Sequence, residues 1–318
     1  MPITNVLVTG ANAGLGKECC RQLALLEGIE KVYLGCRNEE KAKAAKSSLE
    51  ESTGKMGVFD IVLMDVAKLD SVRAAIQGLK KDSVMLDGIV LNAGGSSGVH
   101  PMEKAVGICV TNIFALNVLG HALFIDLAIK EKIFTAGTVV FSGSEGARGI
   151  PSLADPRPVL QNGAVEEFSS IADGSMDGLD ITNVYNYVKL AAALWIGSLA
   201  RKYPFSKCKM RFLTMSPGGT KSTNIFDPMA LPTRWVFKAM FQVMWLFGKV
   251  HDLETGAKRY VDALTDEGGT NYKSGRFYAS ADENSITGPT SDQSAIWDVF
   301  DNEVYQDNAY TAIEKLLK

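Results

Sequence analysis

Short apolar runs alternate with helix-patterned stretches through the first two thirds of the chain, and this alternation constrains the fold more than any single motif. Ile3–Thr9, Lys31–Gly35, Phe59–Met64, Gly88–Leu91 and Thr138–Phe141 read as strands. Between them, Lys17–Glu27, Glu39–Thr53, Leu69–Lys80 and Ala105–Lys130 read as helices, the last with a break near its start. A further helix, Val184–Lys202, precedes a strand at Arg211–Thr214. Parallel strands need a crossover between them, and a helix is the usual one. The pattern predicts an α/β fold, a doubly wound parallel sheet with helices on both faces.

The 318 residues are read as one domain, 1–318, with 46% apolar residues to fill a sizeable core. The net charge of -3 gives no basic excess, so no nucleic-acid partner is expected. Two segments interrupt the rhythm. Residues 145–183 carry prolines, glycines and acids with little periodicity, and read as a long insertion. Residues 224–250 are rich in Met, Phe and Trp. The longest apolar stretch is read as Trp235–Phe247, 13 residues that contain Lys238 and Gln242. A bilayer needs about 20 apolar residues, so no transmembrane segment is expected. No basic, apolar and small-residue leader pattern opens the chain, so a cytoplasmic location is expected. Cys19, Cys20, Cys36, Cys109 and Cys208 show neither disulfide nor metal-ligand spacing, and are expected to be small buried fillers. His100, His121 and His251 have no ligand spacing either; a structural role is expected for His121, and no metal site is expected.

After the first strand comes Thr9-Gly10-Ala11-Asn12-Ala13-Gly14-Leu15-Gly16-Lys17, and then a helix. A glycine-rich turn there lets backbone approach a pyrophosphate, and the N–H groups and dipole of the helix start favour its charge. The spacing G-x-x-x-G-x-G differs from the common G-x-G-x-x-G, and a tight turn without a ligand is the plain alternative. The second strand ends Gly35-Cys36-Arg37-Asn38, without the acid that an NAD-preferring site uses to hold ribose hydroxyls. Arg37 could pair with a 2′-phosphate, helped by Lys17, or be a solvated charge. Asp65, with Val66 behind it, follows the third strand and is placed to touch an adenine. NADP(H) is the expected cofactor, with NAD(H) second.

Tyr185 and Lys189 are four residues apart, on one face of a helix. A phenol with a pKa near ~10 is a poor acid–base group at neutral pH, and a nearby ammonium lowers that value. Tyr187 has Ala191 four residues on, and so no partner lysine. At the end of the fifth strand, Ser142 and Ser144 compete to hydrogen-bond a substrate carbonyl; Ser144 is the choice, though either could simply cap the exit turn.

Together these motifs resemble the short-chain dehydrogenase/reductase family over essentially the whole chain, and imply its Rossmann-like fold. The resemblance adds Asn92-Ala93-Gly94 after the fourth strand, and Asn117 as an active-site asparagine that helps hold the lysine and a relay water. It also implies that Pro217-Gly218-Gly219-Thr220 meets the nicotinamide, with Ser222 and Thr223 as hydroxyl candidates, and that Lys189 holds the nicotinamide ribose. Within the family the chain is similar to the retinol dehydrogenase and light-dependent protochlorophyllide reductase branch. Asn117–His121, Glu254–Lys258 and Ser274–Tyr278 carry that likeness, as do the long 145–183 stretch and Thr223-Asn224. Those photoenzymes have a cysteine where this chain has Gly219, which takes light-driven chemistry out of the expectation.

In such enzymes residues 224–250 would close over substrate. Met229, Trp235, Phe237, Met240, Phe241, Met244, Trp245 and Phe247 make that lid apolar, so a bulky hydrophobic substrate is expected. A core helix, a subunit contact or an amphipathic membrane-surface helix are the alternatives, the last with a sparse basic face. Carbonyl reduction or alcohol oxidation is the first functional reading. Reduction of a conjugated C=C bond, and a non-catalytic NADP(H)-binding sensor or scaffold, are the rivals. The family implies a homodimer or homotetramer.

Overall fold

The computed structural model describes residues 3–96, 100–153, 155–221, 245, 248–266 and 271–318. Its strands are β1 (Asn5–Thr9), β2 (Lys31–Cys36), β3 (Phe59–Leu63), β4 (Leu86–Leu91), β5 (Phe134–Ser142), β6 (Met210–Met215), β7 (Phe277–Ser280) and β8 (Thr290–Asp292). They form one sheet in the order β3-β2-β1-β4-β5-β6-β7-β8. All neighbours are parallel except β7 and β8, which are antiparallel. This is the doubly wound sheet expected from the strand–helix alternation. After β1 the chain winds outward through β2 and β3, then returns to place β4 on β1's other side. The order reverses between β1 and β4, and a ligand crevice in such sheets opens at that point.

The helices are α1 (Gly14–Leu25), α2 (Glu39–Thr53) and α3 (Leu69–Lys81), then α4 (Asn112–Lys130), α5 (Val165–Asp173), α6 (Val184–Lys202), α7 (Leu253–Thr265) and α8 (Glu303–Leu317). Side chains alternate across β1: Val6 and Val8 join a core roofed by α1, α2 and α7, while Leu7 joins the core under α3, α4, α6 and α8. All three are fully buried. A strand covered on both faces has to read as a continuous apolar run, which is how β1 reads. Starts follow caps. Asn38 accepts from Lys41 N at 2.8 Å and opens α2, with Glu39 and Glu40 in its first turn.

The structure corrects four expectations. Ala105–Lys130 is not one helix. Gly107 takes φ +80°, so the chain turns through 105–111, with Ala105 N bonded to Val110 O at 2.7 Å. Helix α4 starts only at Asn112, behind the Thr111 cap, and passes through a π-helical turn at Ala115–Leu119. Second, α4 is long and apolar enough to cross a membrane by length and composition, a property not noticed from the sequence. In the fold 72% of it is buried, as expected of a core helix. Third, the 145–183 insertion is not aperiodic. It contains 3₁₀ turns at Glu145–Arg148 and Pro151–Leu153, and α5, which buries Phe168, Ile171 and Ala172. Fourth, Cys19, Cys20 and Cys36 are buried fillers, but Cys109 is exposed and Cys208 half-buried. Ser222, Thr223, Asn224 and the 224–250 segment, apart from Trp245 and residues 248–250, lie outside the described residues.

Candidate functional site

The glycine turn stands at the sheet's C-terminal edge. Gly10 has φ +68°, and its N–H donates to Gly35 O at 2.8 Å, drawing the turn across the end of β2. Gly16 is required for a different reason. A Cβ there would lie 2.5 Å from both Gly10 O and Asn92 Nδ2. Asn92 Nδ2 in turn donates to Thr9 O at 2.8 Å, and Ala93 N donates to Thr9 Oγ1 at 2.8 Å. Helix α1 begins after Ala13 with no side-chain cap and no acid in its first turn. Among the described residues, its N-terminal N–H groups therefore have no side-chain cap and no acid in the first turn, beside Asn12, Gly14 and Leu15. That arrangement suits a phosphate. Arg37 is exposed just beyond the end of β2, close to this turn. Lys17 is turned away, donating to Ser48 on α2 at 2.9 Å. Asp65 accepts from Ala67 N at 3.1 Å and faces Lys68 at 4.0 Å, with Val66 buried behind it.

His121 ties α4 to the end of β1. Its Nδ1 lies 3.3 Å from Asn117 O and its Nε2 lies 3.1 Å from Thr9 Oγ1. A carbonyl only accepts, so Nδ1 carries the proton and Nε2 accepts from Thr9. Burial pushes the ring's pKa down to about 3, opposed by the hydrogen bond that His121 donates to Asn117 O and with the Lys189 charge adding to the fall. The unfolded chain protonates the same ring near ~6.5. Between those values the unfolded state binds the extra proton, so stability drops as pH falls. The melting temperature is expected to decrease from pH 7 to pH 5. His121→Gln should make that slope shallower; an unchanged slope would remove His121 as its source.

Tyr185, Lys189, Ser144 and Asn117 converge at the ends of β4 and β5. Ser144 hydrogen-bonds the Tyr185 phenol and caps the following 3₁₀ turn, its Oγ accepting from Gly146 N at 3.2 Å. Ser142 points elsewhere, its Oγ 2.6 Å from Tyr260 OH in the core. The geometry therefore favours Ser144 as the serine that faces the tyrosine. Lys189 is buried, its Nζ donating to Ser142 O at 3.0 Å and lying 5.5 Å from the Tyr185 ring centre. Asn117 sits in the π turn of α4. Its Nδ2 donates to Gly95 O at 2.8 Å and Ile113 O at 2.9 Å, while its Oδ1 accepts from Gly95 N at 3.1 Å. A Cβ on Gly94 would lie 2.6 Å from Asn117 Oδ1 and 3.5 Å from Lys189 Nζ, so these three meet. Tyr187 is excluded from the cluster, its hydroxyl bonded to Val159.

Electrostatics differ from the simple expectation. Burial pushes the Tyr185 phenol up to about 12; the Ser144 hydrogen bond opposes that and the Glu145 charge adds to it. Burial also brings Lys189 down to about 7. Desolvation disfavours charge on both groups and is the largest cause of each shift. The site therefore keeps a protonated phenol beside a lysine poised near neutrality, and a protonated phenol can give a proton to an oxygen that gains charge.

The segment Pro217–Thr220 follows β6, the neighbour of β5, and forms a second wall at the same sheet edge. Gly219 N donates to Ile286 O at 2.7 Å, Gly219 O accepts from His251 N at 2.6 Å, and Thr220 pairs with His251. A Cβ on Gly219 would come within 2.1 Å of the Ile286 side chain. A cysteine could not stand there without moving Ile286. Behind this wall lies a group that sequence reasoning missed. Glu145, Arg259 and His251 meet there with Ser216 and Ser280. Arg259 donates to His251 Nε2 at 2.9 Å, and burial and that guanidinium lower the imidazole's pKa. Nearby Arg148 is fully buried and donates to the carbonyls of Gly149, Ser280, Asp282, Glu283 and Ser285. No local pattern signals these partners, since Glu145 and Arg259 are 114 residues apart.

With this geometry in view, the chain matches the family described as short chain dehydrogenase over residues 4–153. A short-chain dehydrogenase/reductase of Armillaria gallica is 38% identical over 131 residues, which are 41% of this chain and 40% of that relative. Longer matches reach protochlorophyllide reductase A of Oryza sativa subsp. japonica, 25% identical over 92% of this chain and 79% of the relative. They also reach retinol dehydrogenase 14 of Homo sapiens, 25% identical over 92% of this chain and 84% of the relative. L-Sorbose reductase from Gluconobacter frateurii shares the fold with a TM-score of 0.63 at 18% identity, over 91% of this chain and 100% of that one. The doubly wound sheet thus carries an uncapped helix start and a tyrosine–lysine pair at one edge. The chain belongs to the short-chain dehydrogenase/reductase family, near the branch that holds the protochlorophyllide reductases and retinol dehydrogenases.

Proposed function

We propose that this chain is an NADP(H)-dependent oxidoreductase that reduces the carbonyl of a bulky hydrophobic substrate, or oxidises the matching alcohol. The observation that carries the proposal is the convergence of Tyr185, Ser144 and Lys189 beside the uncapped start of α1. Thr9–Gly16 would hold the pyrophosphate, Asp65 and Val66 the adenine, and Asn92–Gly94 the inner face of the cofactor. Pro217–Thr220 and Ser222 would meet the nicotinamide. Hydride for the carbonyl carbon comes from the bound nicotinamide, the chemistry the cofactor supplies. Tyr185 gives the proton to the oxygen, Ser144 orients that oxygen, and Lys189 holds the ribose beside the phenol. Asn117 keeps the α4 turn against Gly95, so that the lysine has a fixed neighbour.

Preference for NADP(H) rests on Arg37, exposed beside the glycine turn with no acid at the end of β2. Fluorescence titration is expected to give NADPH a Kd at least tenfold below that of NADH, about 1.4 kcal/mol. Arg37→Ala should erase that gap by weakening NADPH alone. Equal Kd values in the parent protein would refute the preference. The apolar composition of 224–250 and the relatives named for retinol and protochlorophyllide support a large apolar substrate. The whole-length likeness to protochlorophyllide reductase also favours a second reading, reduction of a conjugated C=C bond. Product analysis on an enone separates the two, an allylic alcohol marking the first and a saturated ketone the second.

A further inference from the structure

Glu145 follows Ser144 directly, and its carboxylate is buried between the ends of three strands. Its Oε1 accepts from Ser280 Oγ at 3.0 Å, Ser280 N at 3.3 Å and Arg259 Nη1 at 3.5 Å, while its Oε2 accepts from Ser216 Oγ. Arg259 also donates to Ser216 O at 3.2 Å and Gly288 O at 2.8 Å. Glu145 is 3% and Arg259 6% exposed, so neither charge is solvated. The pair touches both walls of the site. On one side Glu145 is continuous with Ser144, which holds Tyr185. On the other, Gly218 N donates to Ser216 Oγ at 3.2 Å, and a Cβ on Gly218 would lie 2.8 Å from Arg259 Nη1.

A buried ion pair adds little net stability compared with apolar residues of the same volume, and its best-attested use is to fix register. Here the register is between the hydroxyls that handle the substrate oxygen and the segment assigned to the nicotinamide. Misplacement by about 1 Å costs on the order of a hundredfold in rate. We propose that Glu145 and Arg259 are a positioning pair that sets the gap between the Ser144–Tyr185 wall and the Pro217–Thr220 wall, and with it the hydride-transfer distance. This rests on the oxidoreductase reading above.

The test is the double variant E145Q/R259M, which removes both charges and leaves no unpaired one. Two readouts are used, neither altered by a smaller folded fraction alone. The first needs no turnover: the Kd of NADPH and the fluorescence enhancement of the bound nicotinamide per bound molecule. The second is the primary deuterium isotope effect with deuterated NADPH on benzil, a bulky apolar diketone. Kd is expected to stay within about threefold, because the α1 phosphate site is untouched. The enhancement should fall by about half or more, kcat at least tenfold, and the isotope effect should rise as hydride transfer becomes limiting. Arg259→Lys, which keeps the charge, should move the same quantities less. Parental fluorescence and isotope effect in a folded double variant would overturn the proposal, and so would failure of both variants to fold, which would make the pair purely structural. Failure of the underlying reading looks different: parent protein that binds no NADPH, or whose Tyr185→Phe variant turns over normally.

Discussion

Tyr185→Phe is expected to lower kcat for carbonyl reduction by about a hundredfold to ten-thousandfold, the usual contribution of a positioned proton donor. The substitution deletes one oxygen. The ring stays in its place at the head of α6, so the packing around Phe141 and Lys189 is kept. The lost hydrogen bond to Ser144 is worth roughly 1 kcal/mol, and NADPH affinity should hardly change. Burial keeps the phenol protonated, with a pKa of about 12, so the acid form needed for reduction is present throughout the neutral range. Tyr187→Phe is the matched control, because that hydroxyl is bonded to Val159 and lies outside the cluster. Steady-state rates for the two variants decide the matter. A Tyr185→Phe protein that keeps more than about a tenth of parental kcat would end the assignment.

Gly16→Ala should weaken NADPH binding by about a hundredfold, or roughly 2.7 kcal/mol. The new methyl would lie 2.5 Å from Gly10 O, a backbone atom of the same turn, and 2.5 Å from Asn92 Nδ2. Neither neighbour can swing away cheaply. Gly10 is held by its bond to Gly35 O, and Asn92 by its bond to Thr9 O. The turn has to open, and the N–H groups at the start of α1 lose their aim. Calorimetric titration checks this, with circular dichroism to show that the sheet persists. An affinity within threefold of parent would mean that the turn is not the cofactor's cradle.

How much of this was legible beforehand depends on sequence distance. β1, α1, β2 and α2 were readable because period and caps are local: two apolar layers on Val6–Val8, Asn38 before a helical run, glycines between strand and helix. Tyr185 and Lys189 were readable because helical spacing puts them on one face. The break before α4 carries only a weak local signal, since Gly107 fits a helix pattern until its φ is known. Helix α5 was missed because nine residues carry barely two turns of periodicity. The choice between Ser142 and Ser144 had no local signal, for both follow one strand and only Tyr260, 118 residues on, draws the first away.

The sequence by itself therefore determined the layers, the phosphate turn, the tyrosine–lysine pair and the family. The first three depend on residues close together in the chain, and the family on several such local motifs taken together. Tertiary structure alone decided which serine meets the tyrosine and how strongly burial disfavours charge on the tyrosine and the lysine. It alone showed that a side chain at Gly219 would have to displace Ile286, and that Glu145 and Arg259 join two walls of the site. Those outcomes depend on desolvation and on contacts between chain segments about a hundred residues apart, and both arise only when the sheet closes.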